Sequence, residues 1–345
     1  MSSKQASKQA SKQAENFNSI DVMKFIMAIV VVAIHTEPFH SSQHNMQIAF
    51  NTLSGLAVPF FFISSGFLLG RRMQGDNNIL PAKKQLIKII KLYVKWSTIY
   101  LPLAIYDYWH TGISPLKAVI LYIRNFLLGG MHYNSWQLWY LLSTIYGLIF
   151  IIGMLKCGMS KRLRELLIIT VAFTSLLLSY IVSILAESST PFWLVKFGTV
   201  IEKTILNGRI LQGLYYIPIG IVLSKSKEMS KKAVFLTICL SMLFRYCYIE
   251  NKFWADVFLI PASIGLFEIV RKIKMGGDKL IYQTMRTMST IIYLVHMWVW
   301  TAVYTVIYHE KTFGLLCFMS TAGISIFIAF LYVKKRENNE LKMHP

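Results

Sequence analysis

With 345 residues, 55% of them hydrophobic and only 15% charged, the chain is too apolar for an ordinary water-soluble domain. A net charge of +20 would suit a nucleic-acid binder, but its distribution along the chain points to a bilayer instead. The four cysteines show no paired spacing, so neither a zinc site nor a disulfide framework is indicated, and no metal is expected.

The chain opens with a tandem Ser-Lys-Gln-Ala repeat, and residues 1–19 read as a polar, low-complexity tail. Ten apolar stretches long enough to cross ~30 Å of hydrocarbon follow, at 20–36, 48–69, 92–109, 136–155, 166–186, 210–224, 233–248, 254–270, 290–308 and 313–333. Two further apolar pieces, 116–128 and 192–206, are interrupted by Arg124 or by Lys196 and Glu202, and read as interfacial or re-entrant segments. If the first tail lies in the cytoplasm and every span crosses once, 26 of the 36 basic residues fall in cytoplasmic segments, seven in outer ones and three inside spans. That asymmetry is the positive-inside rule. It predicts an all-α polytopic bundle of about ten transmembrane helices in a bacterial plasma membrane. Both termini are then cytoplasmic, with a transmembrane domain over 20–333 and a short tail over 334–345. The partners expected are the lipid bilayer and a small-molecule substrate, with no nucleic acid.

The first span carries the most informative pattern. Lys24 and His35 are eleven residues apart, so at ~100° per residue they share one helix face, separated by ~16 Å along the axis. Asp21 lies on the same stripe. Ionisable groups inside a bilayer are costly and usually face a bundle interior or a wet cavity. The spacing offers Asp21 as the charge partner of Lys24, leaving His35, followed closely by Glu37, as a general base or proton carrier near the outer face. The plainer alternative is a hydrated histidine at a helix end.

Other polar positions read in two ways each. In Val58-Pro-Phe-Phe-Phe-Ile-Ser-Ser-Gly-Phe67, Ser64, Ser65 and Gly66 suit either close helix packing or a substrate contact. In Trp136-Gln-Leu-Trp-Tyr-Leu141, Trp139 fits an interfacial aromatic belt as well as a binding surface. His296 lies deep in the ninth span, as a buried hydrogen-bonded histidine or a proton or substrate contact. Arg209 can hold an anionic substrate group or simply anchor topology. Arg245 is placed to pair with Asp256. Pro102, Pro218 and Pro261 fall inside spans, where they free carbonyl groups.

Taken in order, the basic residue with a His eleven positions on, the Pro-Phe-Phe-Phe element, the Leu-Trp-Tyr-Leu element and Ser289-Thr-Ile-Ile-Tyr-Leu-Val-His296 resemble the signatures of the acyltransferase-3 family of membrane proteins. That resemblance implies transfer of acyl groups, from acyl-CoA or a similar donor and with no permanently bound cofactor, onto an extracytoplasmic sugar, lipid or cell-wall acceptor. By position it makes His35 the catalytic residue and Lys24 its motif partner. A narrower likeness, through Val30-Val-Val-Ala-Ile-His-Thr-Glu-Pro-Phe39 and Ala57–Phe67, is to the membrane module of vancomycin-resistance-type membrane serine racemases. It implies supply of L-serine to a cytoplasmic PLP-dependent serine/alanine racemase, fused or separate, for D-Ser-containing peptidoglycan precursors. The chain itself carries no racemase domain, so it is expected to be a fragment or a separate membrane subunit. Serine supply is the favoured expectation and O-acyl transfer the rival.

Overall fold

The computed structural model describes residues 17–40, 44–73, 78–185 and 191–343; the repeat at 1–16 lies outside them. Among the described residues the chain is helical without a strand. Apolar stretches with no water to satisfy their backbone have little alternative, because a helix closes its hydrogen bonds within itself. The α-helices are α1 (Asn18–Thr36), α2 (His44–Ser54), α3 (Ala57–Arg72), α4 (Leu80–His110), α5 (Pro115–Arg124), α6 (Trp139–Lys156), α7 (Lys161–Leu185), α8 (Phe192–Ile205), α9 (Gln212–Lys225), α10 (Lys231–Cys247), α11 (Lys252–Lys272), α12 (Lys279–Val303) and α13 (Leu315–Met343).

Among the described residues, seven segments are able by length and composition to cross a membrane: Asn18–Thr36, His44–Arg72, Trp136–Lys156, Lys161–Ile181, Lys252–Lys272, Lys279–Tyr308 and Leu315–Asn339. The other three stretches predicted to span are helical too. α4 has 31 residues but carries Lys83, Lys84, Lys88, Lys91 and Lys95, while α9 and α10 have only 14 and 17 residues. The two apolar pieces expected at the interface form the short helices α5 and α8. α13 continues past 333 to Met343 on good helix-forming Lys, Arg and Glu residues.

α9 is held by backbone contact with α3 and α6. A Cβ on Gly66 would stand 2.0 Å from the Ile217 carbonyl oxygen, and one on Gly220 would stand 2.2 Å from that of Ile63. Gly213 meets the Ser143 carbonyl in the same way, and Ser143 Oγ donates to the Ile210 carbonyl while accepting from the Gly213 N–H. Small residues permit this approach where lipid supplies no hydrophobic drive between helices. Beside this frame, α1 packs between α12 and α3, and α13 closes on α12.

The second predicted span is broken between Ser54 and Ala57, upstream of Pro59. Pro59 sits in the first turn of α3, where its missing N–H costs nothing. Arg245 takes up the freed end of α2. It is buried, its Nε donates to the Thr52 carbonyl and its Nη1 to that of Ala255. The expected Arg245–Asp256 pair is therefore replaced: Asp256 bonds Lys252 Nζ at 2.7 Å instead.

Candidate functional site

The polar stripe of α1 leads to two different places. At its first turn Asp21 is buried and receives Arg286 of α12 side-on, Nε to Oδ1 at 2.9 Å and Nη2 to Oδ2 at 2.5 Å. Planar guanidinium and carboxylate match in such a fork, which a lysine cannot make. The expectation that Asp21 pairs with Lys24 is thus corrected. The two are neighbours, but the carboxylate belongs to Arg286, and Asp21 ties α1 to α12 rather than offering itself to a substrate.

Lys24 instead faces a cavity of about 580 Å³ between α1, α3, α4, α6 and α12. Arg72, Lys84, Lys88 and Arg286 also line it, so five cations surround one opening, with Asp21 neutralising part of the charge. Its inner wall is made of Phe61, Ser65, Tyr140, Leu141, Tyr293 and Leu294. Ser65 therefore reaches the cavity. Ser64 does not: it is fully buried and donates to the Phe60 carbonyl at 2.6 Å, so its role is packing.

Beyond that inner wall lies the histidine pair. The ring of Tyr293 is 5.5 Å from that of Tyr140, 5.7 Å from Phe61 and 6.2 Å from His296. His296, fully buried on α12, stacks on His35 with ring centroids 5.3 Å apart and planes 24° from parallel. Its Nδ1 is 3.2 Å from the Ile292 carbonyl. A carbonyl only accepts, so Nδ1 carries the proton and Nε2 presents a lone pair. That Nε2 has no partner among the described residues, and neither does the nearby buried Oε1 of Gln137. The surrounding polar groups are committed: Tyr293 OH donates to the Gln137 carbonyl, and Tyr100 OH and Gln137 Nε2 both donate to that of Leu294. Two unsatisfied buried atoms in an otherwise satisfied shell mark a place for a polar guest.

On its far side His35 meets Trp136 at 5.8 Å, and Trp136 meets Trp300 at 5.9 Å. Lys311 Nζ stands over Trp136, Trp300 and Phe313 at 4.9, 5.3 and 5.8 Å. Arg209, exposed on the turn Leu206–Leu211, is within electrostatic reach of the His35 ring. Trp139 does not join this group; it packs near Phe62, and Trp136 takes its expected place. Glu37 does not orient His35 either. It sits in a left-handed conformation just past α1 and bonds His40 at 2.7 Å, in a separate small pocket with Gln47 and Asn51. The structure thus brings together Lys24 and Ser65 at one end and His35 and His296 at the other. The reading of the sequence missed Arg286, Tyr293, Trp136 and Lys311. Among the described residues no cluster suited to a metal ion is found.

A helical bundle with membrane-length apolar segments, a basic cavity at one end and a stacked imidazole pair toward the other defines a multi-pass membrane protein. The chain belongs to the acyltransferase-3 family, whose acyltransferase-domain model matches residues 17–334. Its curated relatives include an amino-acid racemase of Enterococcus faecalis, 29% identical over 257 residues, which are 70% of this chain and 33% of that protein. A second amino-acid racemase of Enterococcus faecalis is 31% identical over 134 residues (39% and 18%), and a serine/alanine racemase of Enterococcus gallinarum 29% over 141 (39% and 19%). The chain spans about a third or less of the length of these relatives. No solved structure matches it.

Proposed function

We propose that the chain moves an acyl group from a phosphate-bearing donor of the acyl-CoA kind, held in the basic cavity, to a hydroxyl acceptor at the His35 end. The observation that carries this is the placement of five cations around one cavity whose inner wall, Tyr293, also touches the imidazole pair. By the positive-inside rule that cavity opens to the cytoplasm, where acyl-CoA is made. A cluster of lysines and arginines suits phosphates. About 16 Å of helix separates Lys24 from His35, so the donor needs a long thin arm to carry its thioester between them.

The chemistry assigned to the residues is short. His35 accepts the proton of the acceptor hydroxyl as its oxygen bonds the thioester carbonyl carbon. The carbon–sulfur bond breaks and the thiolate leaves with the proton returned by His35. His296, its Nδ1–H fixed by Ile292, turns its Nε2 lone pair toward the site and holds the stacked ring in place. The test is donor binding by the purified protein. Acyl-CoA should bind with an affinity that falls as salt rises, and Lys84→Gln with Lys88→Gln should weaken it by about tenfold. An affinity indifferent to both would overturn the donor site.

A second reading is supported by the names of the relatives: delivery of L-serine to a PLP-dependent serine/alanine racemase, in service of D-Ser-containing precursors and glycopeptide resistance. Its polar stripe and broken helices suit a small zwitterion. Radiolabelled L-serine should then accumulate in vesicles carrying the protein, and uptake equal to that of empty vesicles would sink it.

A further inference from the structure

The turn from α6 to α7 is tight and closed by its own hydrogen bonds. Gly158 (φ 60°) ends α6: its N–H donates to the Leu155 carbonyl at 3.3 Å, and the Met159 N–H donates to that of Met154 at 3.4 Å. α7 starts at once, with Ser160 Oγ accepting from the Leu163 N–H at 3.3 Å. Its first turn carries Lys161, Arg162 and Arg164 and no acid. A helix begins at the positive end of its dipole, where basic residues are the unfavourable choice and an anion is favoured. The pair of Lys161 with Glu165 offsets little of this, being 3.9 Å apart and largely exposed. Beside this helix start lies a second cavity, of about 190 Å³, between α6, α7 and α9. Lys161, Arg164 and Lys225 line it with Glu165, over an apolar floor that includes Met154, Ile168, Ile221 and Val222. Membrane orientation asks only that basic residues collect on the cytoplasmic side. It does not ask that charges from the start of α7 and the end of α9 meet over one apolar cleft. α7 also faces lipid: only 11% of its membrane-length stretch is buried within the protein, and Leu166, Ile169 and Phe173 stand exposed.

We propose that this cleft binds an anionic phospholipid of the cytoplasmic leaflet, with its phosphate against Lys161 and Arg164 and an acyl chain along the apolar floor. Three basic side chains and one carboxylate leave the lining net positive, the complement of a phosphodiester. The guanidinium of Arg164 supplies a planar fork for two phosphate oxygens. The apolar floor selects a lipid over free phosphate, which has nothing to bury there. The cleft shares no lining residue with the Lys24 cavity, so the site stands whether or not the chain transfers acyl groups.

The experiment follows lipid binding to the full chain in an uncharged detergent by native mass spectrometry. Phosphatidylglycerol and phosphatidylcholine with identical acyl chains are titrated in turn, so that only the headgroup differs. Phosphatidylglycerol should bind the more tightly. Lys161→Gln with Arg164→Gln should weaken it by about 25-fold, about fivefold for each charge removed. Lys231→Gln with Lys232→Gln takes the same charge from the first turn of α10, outside the cleft, and should leave the binding unchanged. Val222→Trp fills the cleft from a half-exposed position without altering any charge, and should weaken the binding too. Inorganic phosphate at millimolar concentration should not displace the lipid. Equal binding of the two lipids, undiminished binding in the Lys161 and Arg164 double variant, or an equal loss in the α10 variant would each overturn the site. Displacement by inorganic phosphate, or full binding in Val222→Trp, would overturn the lipid as its occupant.

Discussion

At its Lys24 end α1 looks into an open cavity ringed by arginine and lysine; at its His35 end the same helix meets only rings. The Lys24 end keeps its buried Asp21 carboxylate tied in a fork with Arg286 and leaves the other cations around an open cavity of about 580 Å³. At the His35 end two imidazoles stack, Trp136 and Trp300 follow them, Lys311 lies over those two rings, and the Glu37 carboxylate is held by His40. Charges that recruit a ligand must remain hydrated enough to exchange partners, whereas a ring that takes a proton works best where nothing permanently fixes its charge. One helix serves both needs because its stripe is long enough to hold them a membrane leaflet apart.

The largest test of that division is His35 itself. His35→Ala should lower acyl transfer by about 10²–10⁴-fold, the usual worth of a positioned base, with expression and membrane insertion unchanged. His35→Gln, polar but unable to titrate, should fail equally. Full activity in either variant would reduce the ring-lined end to packing.

Next in size is the fork at the opposite end. Arg286→Ala leaves the buried Asp21 carboxylate unpaired, and should cost about 2–3 kcal/mol in detergent unfolding. Breaking a fully buried pair costs about 3–5 kcal/mol, and the Arg286 side chain is 57% exposed. Asp21→Asn in that background should recover most of the loss. Lys24→Ala should leave assembly intact and weaken donor binding alone, because Asp21 keeps its guanidinium. A Lys24 variant as unstable as Arg286→Ala would erase the distinction between tether and ligand contact.

The smallest effect sharpens the comparison at the loop that precedes the Trp136 turn. His132 is buried there, stacked on Tyr122, and burial, assisted by the charge of Arg124, lowers its pKa from 6.5 to about 4. Its folded-state pKa lies below the unfolded one, so its contribution to stability is whole above pH 6.5. It is lost as the pH falls from there through about 4, while the unfolded chain takes up the proton first. Thermal unfolding of the wild type should therefore drop over that window, and His132→Phe should flatten the slope. An identical slope in the variant would place the acid sensitivity elsewhere.

Much of this architecture can be read in the residues. The apolar runs give the helices, and the eleven-residue spacing of Lys24 and His35 gives the stripe, since both are local periodicities. What local pattern cannot carry is a partner far along the chain. Arg286 lies 265 residues from Asp21, so the nearer Lys24 looked the obvious counter-ion. Trp139 and Trp136 are equally plausible from their motif, and only the turn Trp136–Leu138 decides which ring meets His35. Ser64 and Ser65 are adjacent and alike, but successive helix positions point ~100° apart, so one packs and the other lines the cavity. Nothing in the sequence around Lys311 reveals that the chain folds it onto two distant tryptophans.

The layer of rings between the cavity and the imidazole pair has an electrical consequence. A bilayer insulates over ~30 Å. Here the cavity reaches in from one side as far as Tyr293, and the ring of His296 lies just beyond it. The drop in membrane voltage is then concentrated across the short ring stack instead of being spread through the full thickness. A unit charge crossing that stack in an energised cell feels about 2.3 kcal/mol for each 100 mV. Tyr293, Tyr140 and Phe61 thus stand where the dielectric of a thin capacitor would, between the cavity and the imidazoles.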